Sequence, residues 1–135
     1  MTKHEYICKI CLVVRQKSSC MKRQVGAVFV NADYEILATG YNEAPKGFPH
    51  CDRGKTCGNP CTRTIHAEMN AITQAAKRGT ALYGAILYCT YMPCVDCARL
   101  LVNLGIKAVY IKENNKDGGE GVLIQAGIDM FPWKK

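Results

Sequence analysis

No stretch of the 135-residue sequence approaches the roughly 18 consecutive apolar residues that a membrane-spanning helix needs. The start, Met1-Thr2-Lys3-His4-Glu5, carries no secretory h-region. Internal repeats and low-complexity segments are also missing. These absences speak against a helical membrane protein, a secreted protein and a repeat array. The expectation is a protein without a membrane partner in the cytoplasm, or in the host cytoplasm if the chain is viral. Its length suits one domain, residues 1–135, large enough to bury a core without covalent staples.

Acidic residues are in short supply, 11 against 18 Lys and Arg, which leaves a formal charge of +7. That balance favours polyanionic partners such as nucleotides or nucleic acid. Cysteine is plentiful instead, at positions 8, 11, 20, 51, 57, 61, 89, 94 and 97. An odd count without an export signal points to reduced thiols and metal coordination rather than to a disulfide framework.

Hydrophobic spacing gives the elements. Residues 5–15 read as an amphipathic helix through Tyr6, Ile7, Ile10, Cys11 and Val14, with the stripe facing a sheet. Runs at 25–30 and 35–39 flank the turn formers Asn31-Ala32-Asp33 and predict an antiparallel hairpin. Residues 41–63 are rich in Gly, Pro, Cys and charge, a long loop that needs a reason to be ordered. A helix over 66–78 ends at Gly79, a strand covers 85–90, and a helix over 94–104, with Pro93 in its first turn, ends at Gly105. A strand at 107–112, a short helix at 120–126 and a strand at 128–131 complete the order αββαβαβαβ. Helices covering a mixed sheet in an α/β sandwich follow from that order.

Two motifs carry chemistry: His66-Ala67-Glu68, and Pro93-Cys94-Val95-Asp96-Cys97. One imidazole and two thiolates suit zinc, and a three-ligand zinc keeps a position open for water. Cys94 and Cys97, three apart, share one face of a helix start, where exposed amides and the dipole favour thiolates. His66 and Glu68 would diverge by about 200° in mid-helix, so they can converge only if His66 stands at the helix start. An H-x-E followed by P-C-x-x-C is the signature of zinc-dependent nucleobase deaminases, with the Glu as a proton shuttle outside the metal shell. Glu68 is thus the candidate acid and base, and His66, Cys94 and Cys97 are the candidate ligands of a catalytic zinc.

Around these motifs the chain resembles the deoxycytidylate (dCMP) deaminase family, near its short microbial and phage forms. The resemblance rests on Ser19-Cys20, on Gln24-Val25-Gly26-Ala27-Val28, and on Gly40-Tyr41-Asn42 with Pro45. It continues through residues 63–71 around the zinc histidine to Ala126-Gly127-Ile128. It implies a three-layer α/β/α cytidine deaminase-like sandwich on a mixed five-stranded sheet. The implied reaction is hydrolysis of dCMP to dUMP and ammonia, feeding thymidylate synthesis. Carried over residue by residue, Asn42 holds the deoxyribose, the Ala67 amide meets the pyrimidine carbonyl, and the Met92 carbonyl receives the amino group. Val25 and Gly26 wall the pocket. Lys22, Arg23, Lys46, Arg63, Lys112 and Lys116 are candidate phosphate cations by position, with Arg23 the one placed among the substrate-binding residues. The resemblance also implies a homo-oligomer, commonly a hexamer, with dCTP and dTTP as regulators. The chain departs from the family at Glu43-Ala44-Pro45, where glycine usually follows Asn42, and at residues 113–117, which lack a substrate-facing tyrosine.

A second, structural zinc is expected from Cys20, Cys51, Cys57 and Cys61, which would order the 41–63 loop. His50 is an alternative ligand, since related phage enzymes use histidines in part of that set. Cys8 and Cys11 read as packing residues on the first helix, and Cys89 as an inert thiol in a strand. Two rival functions stay open on sequence alone. One is an RNA or transfer-RNA adenosine deaminase, whereas the dCMP reading expects no nucleic-acid partner. The other is a non-enzymatic zinc-stapled binding module, in which Glu68 would have no purpose.

Overall fold

A computed structural model describes residues 1–20, 22–49, 64–116 and 118–134. In chain order the elements are α1 (Lys3–Arg15), β1 (Gly26–Val30), β2 (Ile36–Tyr41), α2 (Ala67–Arg78), β3 (Ile86–Tyr91), α3 (Val95–Leu104), β4 (Ala108–Glu113), α4 (Gly119–Gln125) and β5 (Asp129–Pro132). The order matches the sequence expectation, with two-residue boundary shifts at the start of α1 and, in the hairpin, at the end of β2. There Asn31 accepts at Oδ1 from the amides of Asp33 and Glu35, and Tyr34 takes a left-handed φ of 63°. The turn therefore consumes Glu35, and β2 runs on to Tyr41 instead of stopping at 39.

The strands form one mixed sheet in the order β2-β1-β3-β4-β5. β1 pairs antiparallel with β2 and β3, while β3, β4 and β5 run parallel. β1 is buried along its whole length because helices cover both faces. Side-chain alternation divides the core accordingly. Ala27, Phe29, Leu87, Cys89, Val109 and Ile111 pack with Ala67, Ala71, Ala98, Leu101 and Leu123 of α2, α3 and α4. Val28, Val30 and Tyr88 pack with Ile7 and Cys11 of α1 on the opposite face. The result is the three-layer α/β/α sandwich that the resemblance implies. Among the described residues no helix is long and apolar enough to cross a membrane.

α1 begins with a capping box. The Thr2 hydroxyl accepts from the Glu5 amide at 3.0 Å, and Glu5 accepts in return from the Thr2 amide at 3.4 Å. Its buried stripe is Ile7 and Cys11, with Val14 partly covered; Tyr6 lies off that stripe and is 47 % exposed, contrary to the sequence reading. His4 closes this layer. Its Nε2 donates to the Trp133 carbonyl at 2.8 Å, which leaves Nδ1 to accept from the Tyr88 hydroxyl at 2.7 Å. Tyr88 stacks on Tyr110 with ring centroids 4.7 Å apart.

α2 packs on the sheet through an inner stripe of alanines, Ala67, Ala71 and Ala75. The facing residue on β2 is Gly40, where an added Cβ would overlap the carbonyl of Ala67 and the backbone of Ala71. Gly40 thus lets the first turn of α2 rest on the strand backbone, and that turn carries Glu68. Gly40→Ala is expected to cost about 1–3 kcal/mol through overpacking. Gly121→Ala in α4, where a Cβ meets open space, should be neutral or stabilising. Urea denaturation of both variants checks this, and equal midpoints would contradict it.

Candidate metal centre and active site

The N-termini of α2 and α3 point at one place. His66 is the N-cap of α2 with φ −64° and ψ 147°, and Cys94 is the N-cap of α3 with φ −70° and ψ 172°. Extended backbone at each cap swings the side chain across the helix mouth instead of along its flank. His66 thereby meets the condition for convergence with Glu68, which occupies the second position of α2. Pro93 lies one residue before the cap, outside the first turn that the sequence predicts for it. The physical reason is that Cys94 is itself the cap: its sulfur accepts from the Cys97 amide at 3.5 Å.

His66 Nδ1 lies 3.3 Å from Cys97 Sγ and 3.4 Å from Cys94 Sγ, and the three ligand atoms lie within 4.8 Å of one another. Tetrahedral zinc with ordinary bonds to nitrogen and sulfur sets such N···S separations at about 3.6 Å. The donors therefore fit zinc in chemistry and in spacing. Cys97 is buried, Cys94 half-buried and His66 exposed, so the site opens to one side. Glu68 is only 4 % exposed and stands outside the ligand cluster, yet its charge raises the proton affinity of both His66 and Cys97. A buried carboxylate beside the metal position, and not part of it, is the arrangement a proton shuttle requires.

Proton sharing dominates the electrostatics. The Cys97 thiol and then His66 hydrogen-bond to the Cys94 sulfur and hold its pKa down at about 3. The same contact with Cys94, followed by burial, pushes the Cys97 thiol far up. His66 is raised mainly by its hydrogen bond to Cys94. Two sulfurs this close share a proton until a cation replaces it.

Around the centre, Asn42 is buried, and both ends of its amide are engaged. Oδ1 accepts from the Val25 amide at 2.8 Å, and Nδ2 donates to the Arg23 carbonyl at 2.7 Å. Its carbonyl accepts from the buried Ser18 hydroxyl at 2.7 Å. Gly26 donates to Thr90 Oγ1 at 3.1 Å, which ties the 25–26 segment to β3. Ala67 is buried as the first residue of α2, and Met92 is buried between β3 and Pro93, its amide donating to the Glu113 carbonyl at 2.9 Å. The guanidinium of Arg23 lies 4.7 Å from the centre of the Tyr91 ring. Lys22, Lys46 and Lys116 are exposed, and Lys112 pairs with Glu113 at 3.7 Å. Ser18, Thr90 and Tyr91 escaped the sequence reading, since nothing local marks a hydroxyl or ring whose partner is remote in the chain. Cys20 is half-buried, with its amide donating to Ser18 Oγ. Cys51, Cys57, Cys61, His50 and Arg63 lie outside the described residues.

Two helix mouths presenting one imidazole and two thiols, with a buried acid outside their cluster, form a site suited to one zinc ion. Residues 1–113 match the family model described as the cytidine and deoxycytidylate deaminase zinc-binding region, and the chain belongs to that family. ComE operon protein 2 of Bacillus subtilis is 43 % identical over 118 residues, covering 84 % of this chain and 62 % of that protein. This chain therefore spans less than two thirds of the Bacillus relative. The deoxycytidylate deaminase of Enterobacteria phage T2 is 32 % identical, with 93 % of this chain and 89 % of that one covered. Among solved structures, the dCMP deaminase of cyanophage S-TIM5 in complex with dCMP and dUMP superposes with a TM-score of 0.84 at 32 % identity, over 95 % of this chain and 94 % of that one. Family and ligand cluster together assign one zinc site to the chain.

Zinc uptake has to displace the proton that the Cys94 and Cys97 sulfurs share. Affinity should therefore rise with pH, by about tenfold per unit for each proton displaced, and more steeply at acid pH where His66 is also protonated. Chelator competition at pH 6, 7 and 8 measures the slope. An affinity independent of pH would contradict the proton-sharing picture.

Proposed function

We propose that the protein hydrolyses dCMP to dUMP and ammonia, supplying dUMP for thymidylate synthesis. The observation that carries this reading is Glu68, buried beside His66, Cys94 and Cys97 but outside their cluster, in a chain similar along nearly its whole length to an enzyme solved with dCMP and dUMP. Zinc held by the three ligands supplies the Lewis acidity that makes water a nucleophile near neutral pH.

The chain's own residues do the rest. Glu68 takes a proton from the attacking water as the new C–O bond forms at C4 of the ring. It returns that proton to N3, and then moves a second proton to the amino group, so that the C4–N bond breaks and ammonia leaves. The Ala67 amide, the first of α2 and without an intrahelical acceptor, is suited to the pyrimidine carbonyl. The Met92 carbonyl receives the amino group, Val25 and Gly26 wall the ring, and Asn42, whose amide keeps one donor hydrogen and one lone pair beyond its two backbone bonds, holds the sugar. Arg23 takes the phosphate.

A second zinc, held by Cys20 with Cys51, Cys57 and Cys61, or with His50 in place of one thiolate, belongs to the same reading. So do a single domain, a homo-oligomer that is hexameric by resemblance, regulation by dCTP and dTTP, and a reducing cytoplasmic setting, the host's for a viral chain, that keeps the thiols free.

Ammonia release from dCMP, dCTP, cytidine and a transfer RNA tests the substrate, with dCMP expected to be consumed and the RNA left intact. Glu68→Gln should lose about 10²–10⁴-fold in kcat at unchanged zinc content. Full activity in that variant would eliminate the shuttle role. Metal analysis of the fresh protein should return two zincs per chain, and Cys57→Ser should lose one while sparing the catalytic ion. One zinc in the wild type would refute the second site.

A further inference from the structure

A cavity of ≈ 540 Å³ lies between α1, the end of β4 and the segment that leads out of β5. It belongs to the face of the sheet opposite the metal centre. Tyr88 packs there with Ile7 and Cys11 of α1, Tyr110 is its register partner on β4, and strand alternation puts Lys112 on the same side. The ligands His66, Cys94 and Cys97 come instead from the starts of α2 and α3, which cover the other face.

The floor of the cavity is apolar and already satisfied. Cys8 and Leu12 of α1 face Trp133 across it. The indole Nε1 of Trp133 donates to the Tyr110 carbonyl at 3.1 Å, and both ring nitrogens of His4 are engaged, by the Trp133 carbonyl and the Tyr88 hydroxyl. Burial, and then Glu5, push the Cys8 thiol up to about 11, so it stays neutral. Trp133 is also held at its amide by the Ile111 carbonyl at 3.2 Å, so this wall is fixed before a ligand arrives.

Charge is confined to the rim, where Lys9, Lys112 and Lys134 stand with Glu5 and Glu113, three cations against two anions. Both acids are occupied. Glu113 pairs with Lys112 at 3.7 Å, and Glu5 accepts from the Thr2 amide in the capping box. Lys9 and Lys134 are exposed and make no ion pair among the described residues. An uncharged floor under a cationic rim is complementary to a molecule with an apolar body and one negative head, and the volume falls within the roughly 300–1,000 Å³ of small-molecule sites.

We propose that this cavity is a second binding site, for a small apolar monoanion such as a free medium-chain carboxylate. Its chain lies on Trp133 and Leu12, and its head meets the lysine rim. The site is separate from the deaminase chemistry, and no step of that chemistry passes through it.

Trp133 is the sole tryptophan of the chain, so its emission reports on this cavity alone. Titrating the zinc-loaded protein with decanoate should shift that emission saturably, and calorimetry on the same samples should count one decanoate per chain. Decyltrimethylammonium, with the same chain and the opposite charge, should give no saturable shift. Lys9→Gln and Lys134→Gln, both at exposed positions, should each weaken decanoate roughly two- to fivefold. Equal responses to the two amphiphiles, undiminished affinity in the double lysine variant, or neither heat nor emission change with decanoate would each overturn the proposal. So would an emission shift that follows protein concentration instead of decanoate, which would make a second copy of the chain the occupant. The dCMP reading stands whichever way the titration falls.

Discussion

Two helix caps aimed at one point constitute the constraint on which the rest of the molecule depends. A cap residue with extended backbone directs its side chain into the space where the first amides of the helix point, and those amides favour negative charge. His66 and Cys94 both occupy such positions, and Cys97 comes from the first turn behind Cys94. The field at the centre is therefore prepared for thiolates before any metal arrives. The Cys94 pKa is depressed first by the Cys97 thiol and His66, which hydrogen-bond to its sulfur, with the Cys97 amide at the helix mouth adding to them, and Cys97 shows the limit, because without a cation the second sulfur holds on to its proton.

The sheet explains why the two mouths meet. β1, second in the sheet order, is antiparallel to both neighbours, whereas the central β3 also pairs in parallel with β4. α2 and α3 lie on the same face and start at the same end of the sheet, where β2 and β3 finish, α2 leading into β3 and α3 leading out of it. Close approach matters as much as direction. Gly40 lets α2 rest on β2, and Gly119 at the start of α4 fits against Pro93 and Cys94, where a Cβ would overlap their carbonyls. An isolated bridge between Cys94 and Gly118 joins the same two segments. Small residues around the centre thus hold backbone against backbone, which leaves little freedom for the ligands to wander.

Much of this was legible in the sequence because the chemistry restricts the residue types. An imidazole, two thiols three apart, a preceding proline and a carboxylate two residues from the imidazole are rarely assembled for another purpose. Helix ends were legible for a related reason: Gly79 and Gly105 adopt left-handed φ at the C-caps of α2 and α3, which costs glycine little. The contacts that escaped join residues remote in the chain. Asn42 and Arg23 are 19 residues apart, His4 and Tyr88 are 84 apart, and Gly26 finds Thr90 across two strands. Such pairings depend on strand order, which local periodicity does not encode. Tyr6 lies off the buried stripe because it is one residue, about 100° of helix rotation, from Ile7, and the contact with the sheet is centred on Ile7 and Cys11.

The sulfur of Cys94 does two jobs, capping α3 through the Cys97 amide and offering a lone pair to the metal. Electron density drawn toward an ion is withdrawn from that N–H···S contact, so the backbone proton of Cys97 becomes an internal reporter of occupancy. With a spin-active ion such as cadmium-113 in the site, scalar coupling through the sulfur would carry the identity of the bound metal into the amide spectrum, where it could be followed without touching the substrate pocket.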